Sequence, residues 1–359
     1  MKPGFEEGFI PAPFSLPKAE KKALLFKRLH ELSVHHQRDC LAYQRILAAQ
    51  QCDLASLSEP DALPFLPVSL FKQLTLSSVP EDYIVKTMTS SGTSGQQVSR
   101  IYLDKSTAAL QQKVLIKIVS DFIGAARLPM LIIDSPAVMK DRAMFSARGA
   151  GILGFSMFGA DRAYALDEEM NLNHDVLAAF LRKHAGKPLL LFGFTFMVWQ
   201  HFYKALEDCA GRYDLSQATL IHGGGWKKLQ AQAISASAFA QRLNSVCGIT
   251  RVSDYYGMVE QTGCIYMQCE YGHLHASLFS DVIIRDPQDF SVCPVGQAGI
   301  IQVLSALPES YPGHSLLTED EGILLGEDDC SCGRMGKYFQ VLGRLKNAEI
   351  RGCSDTYGG

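Results

Sequence analysis

Apolar residues recur along this chain with two different periods, and the change of period marks out its organisation. Leu24, Leu25, Leu29 and Leu32 fall at helical spacing among Lys, Arg and Glu, which predicts an amphipathic helix from Lys18 to Gln37. A second helix is expected from Arg38 to Gln50, and Pro64 and Pro67 mark an extended approach to Phe71-Lys72. Tyr83-Ile84-Val85 and Val98 to Leu103 read as short strands, and Ser106 to Phe122 as a helix. Leu128 to Ile133 reads as a buried strand with Asp134-Ser135-Pro136 as its exit. Asn173 to His184 follows as a helix, then strands at Pro188 to Phe194 and Thr219 to His222. The Ala/Gly-rich stretch from Ala143 to Gly159 fits either a tightly packed helix or a substrate-facing surface. Strands alternating with helices predict an α/β fold with a largely parallel sheet. After Ser277 the pattern changes to short β stretches at Val282 to Arg285, Gly299 to Leu304, Gly322 to Leu325 and Phe339 to Leu342, broken by Pro and Gly turns. The expected division is a helical segment over 1–60, an α/β core over 61–276, a small β subdomain over 277–342 and a hinge-like flexible tail over 343–359.

Composition narrows the function classes. With 359 residues, 47% of them hydrophobic, the chain is long enough for a sizeable core. A net charge of −3, mixed in sign, argues against nucleic acid or an anionic membrane as an obligate partner. Met1 to Glu7 carries no apolar signal-peptide core, and the longest apolar run, Pro188 to Trp199, is too short and too interrupted to cross a bilayer. A soluble cytoplasmic protein is expected. Of ten cysteines, six lie beyond residue 263, which in a reducing compartment suggests metal or thiol chemistry more than disulfides.

Five segments carry chemistry. Thr89-Ser90-Ser91-Gly92-Thr93-Ser94-Gly95 combines hydroxyls, amides and bare backbone between two short strands, a composition able to wrap a phosphate. It lacks the strand-to-helix context and the lysine of a Walker loop; the competing reading is a flexible Ser/Gly linker. His222-Gly223-Gly224-Gly225-Trp226-Lys227 lets a flat ligand approach backbone, with Lys227 as a cation, or is a plain turn. Asp254-Tyr255-Tyr256-Gly257 offers a stacking face, and Glu260 three residues on suits Mg²⁺. Thr318-Glu319-Asp320-Glu321-Gly322 places carboxylates where a ribose could be held, or is an acidic surface turn. Gly343-Arg344-Leu345-Lys346 closes the series. Separately, Cys269-x5-His275 and Cys330-x-Cys332 supply two ligand pairs of the kind tetrahedral zinc prefers; His273 could replace His275, Cys264 is a spare, and ordinary reduced thiols are the alternative.

The order of these segments, from Val85 to Gly352, resembles the adenylate-forming superfamily of acyl-activating enzymes. Leu66-Pro67-Val68-Ser69-Leu70-Phe71-Lys72, Thr89 to Gly95, Gly223 to Lys227 and the tail Gly352-Cys353 are similar to the acyl-protein synthetases of bacterial bioluminescence, the LuxE family. Cys330-Ser331-Cys332-Gly333-Arg334 is similar to the phenylacetate–coenzyme A ligase group, whose zinc-containing members carry a like pair of half-sites. The resemblance implies an adenylate-forming N-terminal domain, mixed sheets with flanking helices, with most of the mobile C-terminal domain absent. It implies ATP and Mg²⁺, with Ser90 to Gly95 on the β- and γ-phosphates. Gly223, Gly224 and Gly225 would frame adenine with Tyr255 and Tyr256, Glu260 would hold Mg²⁺, Asp320 would bind ribose, and Arg344 would lie near the nucleotide. Lys227 or Lys346 would stand in for the lysine of the missing domain. Cys353 would take the acyl group as a thioester, its thiolate favoured by Arg351, and pass it to a partner such as an acyl reductase. A coenzyme A or carrier-protein ligase and a non-catalytic nucleotide-binding relative are the alternatives. Thr-Glu-Asp at 318–320 departs from the usual Thr-Gly-Asp, and a glutamate in the glycine position puts the turn geometry in question. An apolar acid would meet Met144, Phe145, Ile152, Leu153, Phe155, Met157 and Phe158, and Phe192, Phe194, Phe196 and Met197.

Overall fold

The computed structural model describes residues 11–90, 97–140 and 147–345. Fourteen strands are numbered here in chain order. β1 is Leu66–Pro67, β2 Ile84–Thr89, β3 Arg100–Asp104, β4 Leu128–Ile133, β5 Gly159–Tyr164, β6 Leu189–Phe194 and β7 Ala218–Gly223. β8 is Arg251–Tyr256, β9 Tyr266–Gln268, β10 Leu274–His275, β11 Ser280–Arg285, β12 Ala298–Ser305, β13 Ser315–Glu327 and β14 Lys337–Arg344. Together they make a mixed α/β architecture.

The first half of the main sheet runs β5-β4-β6-β7-β8, all parallel. β6 is buried at every position, as a strand covered on both faces must be. The helices flanking this half start and stop on local chemistry. Asp104 caps Lys105–Ile123 by accepting from the Thr107 amide, Asn173 caps His174–Lys183 through Val176, and Ser235 caps Ala236–Cys247 through Ala238. Gly248, left-handed at φ +79°, ends the last of these. The Ala/Gly-rich stretch resolves into a helix, Ala147–Phe155, and a short 3₁₀ turn, Ser156–Phe158.

From β8 the sheet continues antiparallel through β9, β10, β14, β13 and β12 to β11, with β1 added in parallel to β13. The short strands after residue 277 are therefore hydrogen-bonded into the same sheet as the parallel half. β2 and β3 form a separate two-stranded hairpin, closed at its loop end by the Ser90 amide on Ser99 O and the Ser99 amide on Ser90 Oγ. Among the described residues no helix is long and apolar enough to cross a membrane.

The N-terminal helix, Lys18–Asp39, buries Leu25, Leu29 and Leu32 and carries its polar contacts onto the segment between β12 and β13. Arg28 donates to Ala306 O at 3.1 Å and pairs with Glu309. His36 Nε2 donates to Pro308 O at 3.1 Å, and its Nδ1 accepts from Ser78 at 2.7 Å. His314 reaches Ser33 at 2.8 Å, and its ring stacks on His36 with centroids 5.1 Å apart. Burial holds both imidazoles neutral: His36 lies well below its ordinary value and His314 is brought down to about 3. Above the unfolded histidine value near 6.5 neither state is protonated and nothing is lost. Below it the unfolded chain takes up protons that the native seam refuses, so stability falls, by up to about 1.4 kcal/mol per pH unit for each such histidine. Urea denaturation is expected to give constant stability between pH 8 and 7 and a loss from about pH 6.5 downward. His314→Gln should lower stability at neutral pH yet flatten the acid slope; an unchanged slope would exclude this seam as its source.

Candidate active site

The turn after β8 is built by packing. Val259–Gln261 forms a 3₁₀ turn held by Gln261 Nε2, which donates to Val303 O and Gly313 O, and by the Tyr311 hydroxyl, which donates to Glu260 O. Gly263 is left-handed at φ +91°, and a Cβ there would come within 2.6 Å of Gln111 O, so only glycine lets the chain turn away. The result seats Glu260 in the interior. Burial raises its carboxyl, Glu319 adds to the rise, and the Ser99 hydroxyl and Arg344 oppose it. Glu260 is thus within electrostatic reach of Ser99 beside the β2–β3 hairpin and of Glu319 and Arg344 on β13 and β14.

Asp320 lies on β13 next to Glu319, opposite Arg344 on β14. Tyr256 donates to its Oδ2 at 2.7 Å, and Arg344 Nε stands 3.6 Å from its Oδ1. Asp320 and Arg344 face each other across β13 and β14. Burial lifts the Asp320 carboxyl, against Tyr256 and Arg344. Thr318 Oγ1 donates to Ile301 O at 2.7 Å and accepts the Asp320 amide at 3.1 Å. The glutamate between them needs no special turn. Among the described non-glycine residues, positive φ occurs at Gln51, Asp161, Met170, Phe290 and Asp328, not at Glu319. Glu319 sits inside β13 with its carbonyl accepting the Leu345 amide at 3.0 Å.

The two tyrosines diverge. Successive strand residues point to opposite faces, and Tyr256 turns toward Phe339, Tyr266 and Asp320 while Tyr255 turns toward Phe155 and Phe192, at 5.0 and 6.5 Å between centroids. Gly223 is the register partner of Tyr255, and a Cβ there would lie 2.6 Å from Tyr255 Cζ. Gly224, at φ +77°, lies beneath Phe194. These two glycines thus give aromatic rings room to cross the end of β7. Gly225 and Gly257 extend the turns after β7 and β8. Phe155, Phe192, Phe194 and Tyr255 form one aromatic wall. Leu153 is exposed, and Phe196 and Met197 belong to the segment after β6.

The sequence profile of the family described as Acyl-protein synthetase, LuxE, matches residues 9–358. The chain belongs to that family. Among curated relatives it is 23% identical to the long-chain-fatty-acid–luciferin-component ligase of Vibrio harveyi, covering 96% of this chain and 90% of the relative. It is 21% identical to the protein of the same name from Aliivibrio fischeri, covering 96% and 91%. Among solved structures, an open conformation of 2-hydroxyisobutyryl-CoA ligase with 2-HIB-AMP and CoA superposes with a TM-score of 0.71 at 14% identity, over 96% of this chain and 81% of that one. The same ligase in its thioesterification state gives 0.71 over 96% and 74%. The fold is that of the adenylate-forming ligases, and the family is one of enzymes.

Several residues named from sequence lie outside the description: Ser91, Gly92, Thr93, Ser94 and Gly95 of the hydroxyl-rich loop, Met144, Phe145, Lys346, Arg351 and Cys353. Lys227 opens a 3₁₀ turn, its side chain likewise outside. Thr89 ends β2 and Ser90 closes the hairpin, so the loop does connect two strands.

The four cysteine and histidine ligands meet. One donor atom each from Cys269, His275, Cys330 and Cys332 all lie within 4.8 Å of one another. Cys269 and Cys330 sulfurs are 4.0 Å apart, and His275 Nε2 is 3.3 Å from Cys332 Sγ. β9, β10 and the β13–β14 turn bring the pairs together. His273 Nδ1 lies 3.3 Å from Cys330 Sγ, beside the cluster. Cys264 is elsewhere, against Ser305 and Phe279 O.

Two polar groups escaped the sequence reading. Thr195 bonds His222 Nδ1 at 2.9 Å, with Asp254 3.6 Å away, behind the glycine turn; burial lowers His222 to about 3, and Asp254, 38% exposed, keeps contact with solvent. Arg148 and Asp134 form an ion pair with both side chains 1% exposed. The first had a visible signal, since His222 and Asp254 each border a flagged motif; the second had none.

Gly223→Ala is expected to destabilise the protein by about 1–3 kcal/mol through overpacking against Tyr255. Tyr255→Ala in the same chain should recover part of that loss in thermal melts. Equal melting of the wild-type and Gly223→Ala proteins would show that the ring has another place to go.

Proposed function

We propose that this enzyme uses ATP to activate a carboxylic acid, apolar and of the fatty type, as an acyl-adenylate, then loads the acyl group onto its own Cys353 for delivery to a partner such as an acyl reductase. The observation that carries this reading is the convergence of Tyr256, Asp320, Arg344 and Glu260 beside the closed end of the β2–β3 hairpin. Asp320 suits the ribose hydroxyls, since its carboxylate is fixed by Tyr256 and keeps an oxygen toward Arg344. Thr89 to Gly95 would hold the β- and γ-phosphates. Gly223, Gly224 and Gly225 with Tyr256 would border the adenine.

A carboxylate cannot be displaced at its own carbon while hydroxide is the leaving group. The acid oxygen therefore attacks the α-phosphorus, pyrophosphate departs, and the acyl carbon now carries AMP. The Cys353 thiolate then adds to that carbon and expels AMP, leaving a thioester. Positioning and charge neutralisation supply the rate. Arg344 would contribute one cation, and Lys227, on the glycine turn, is the candidate for another.

Glu260 fits a magnesium ligand. It is a desolvated carboxylate with a second acid, Glu319, close by, and a divalent cation would relieve both. When bound, Mg²⁺ supplies neutralisation of the phosphate oxygens. The cysteine cluster fits zinc. Tetrahedral Zn²⁺ with Zn–S near 2.3 Å separates its sulfurs by about 3.8 Å, close to the 4.0 Å between Cys269 and Cys330. A site with four protein ligands has no open position, so this metal would be structural.

Incubation with ATP, Mg²⁺ and a suitable fatty acid should add one acyl mass to the intact protein, absent in Cys353→Ser while acid-dependent ATP–pyrophosphate exchange persists. Acyl transfer only to added coenzyme A would replace the self-loading step with a ligase reaction. Purified protein should hold about one zinc per chain, and Cys330→Ser should lose it and melt several degrees lower; a metal content near zero in the folded protein would end the zinc assignment.

A further inference from the structure

The Ala147–Phe155 helix lays one stripe against the carboxyl ends of the parallel strands: Arg148, Gly151 and Phe155, at i, i+3 and i+7. Phe155 stacks on Phe192 with centroids 4.3 Å apart and meets Tyr255 at 5.0 Å. Gly151 leaves space for Phe194, whose Cζ would stand 3.0 Å from a Cβ there. So far the stripe is an apolar wall.

It ends in a charge. Arg148 Nη2 donates to Asp134 Oδ1 at 3.0 Å, and Nε stands 2.9 Å from Oδ2, both side chains 1% exposed. This side-on approach sets two nitrogens on one edge of the guanidinium against the carboxylate, Nη2 hydrogen-bonded and Nε close to Oδ2 without a hydrogen bond. It leaves Nη1 on the opposite side, buried and without a partner among the described residues. Interior guanidinium N–H groups are almost always satisfied, because a bare one forfeits its hydration with no return. Asp134 Oδ1 takes the Ser135 amide at 2.7 Å as well, while Oδ2 is buried with no hydrogen-bond partner among the described residues.

The missing acceptor has a defined chemistry. Asp134 already balances the arginine charge, so a second carboxylate here would confront Asp134 in a desolvated place. An uncharged oxygen would accept the free N–H without adding charge. Its place is also defined. β4 is separated from β8 by β6 and β7, three strand spacings or about 14 Å. Arg148 thus lies across the aromatic wall from the Tyr256–Asp320–Glu260 end, where the ribose and Mg²⁺ are placed above.

We propose that the acid activated by this enzyme carries an uncharged oxygen, a hydroxyl or carbonyl, toward the distal end of its chain, and that Arg148 reads it. The proposal rests on adenylation at the Glu260–Asp320 end of the wall.

Acid-dependent ATP–pyrophosphate exchange on the full chain tests both separately. Three matched series serve as probes: saturated monocarboxylic acids, their ω-hydroxy forms and the α,ω-diacids, from octanoate to hexadecanoate. At the preferred length the ω-hydroxy acid should exceed the plain acid by about tenfold or more in kcat/KM, with the diacid below it. Replacing the pair together, Arg148→Met with Asp134→Leu, should bring the hydroxy-to-plain ratio to about one; a ratio that survives overturns the role of Arg148. If that variant does not fold, the wild-type series decides. Plain acids equal to or better than hydroxy acids at every length would overturn the inference while leaving adenylation intact. Absence of exchange with any acid would instead remove the proposed function, and this inference with it.

Discussion

The hydrogen bond from Tyr256 to Asp320 joins two halves of the molecule that are far apart in sequence. Tyr256 ends the last parallel strand; Asp320 sits in the long antiparallel β13. Every other part of the candidate site is referred to this contact. Arg344 reaches Asp320 because β14 pairs with β13, and Glu260 comes within range because the turn after Tyr256 is pinned by Gln261 and Tyr311. A bond of this kind, to a charged group, contributes about 1.5–3 kcal/mol net. Its importance is positional, since it is made by residues whose backbones are already fixed by the sheet.

The sheet does this by changing character at β8. On one side, parallel strands present their carboxyl ends and the turns that follow them, the usual place for ligands in open α/β sheets. On the other, antiparallel strands bring two hairpins alongside. One carries the paired Asp320 and Arg344 at its open end and Cys330 and Cys332 near its turn, so the candidate metal cluster and the carboxylate–guanidinium pair share two strands. Family membership and a shared fold with adenylate-forming ligases give this arrangement its chemical meaning.

Much of the fold was legible because it rests on local signals. Leu128–Ile133 and Leu189–Phe194 are short apolar runs, and the helices at 105–123 and 174–183 begin at Asp104 and Asn173, which cap them. The Ala/Gly stretch was not settled, because small residues carry no apolar period; only its packing on Phe192 and Phe194 makes it a helix facing the sheet. β9 and β10 are two or three residues long and exist through long-range pairing, which no window of sequence registers. The cysteine cluster was legible because ligand spacing is itself a chemical pattern. The choice between His273 and His275 was not, since both stack on Tyr338 and only three-dimensional placement separates them. In sequence Asp134 is legible only as part of a strand exit and nothing singles out Arg148; their burial appears only when the helix closes on β4.

The Leu345 amide, bonded to Glu319 O, has a consequence for chemistry further along the chain. From residue 345 to residue 353 is eight residues, a length of chain that spans at most about 27 Å. If Cys353 is the reacting thiol, as proposed, it is covalently tied to the site and meets the mixed anhydride at an effective rather than a bulk concentration. Water and dilute cellular thiols then compete against a tethered nucleophile, and the activated acid has no need to leave the protein between the two steps.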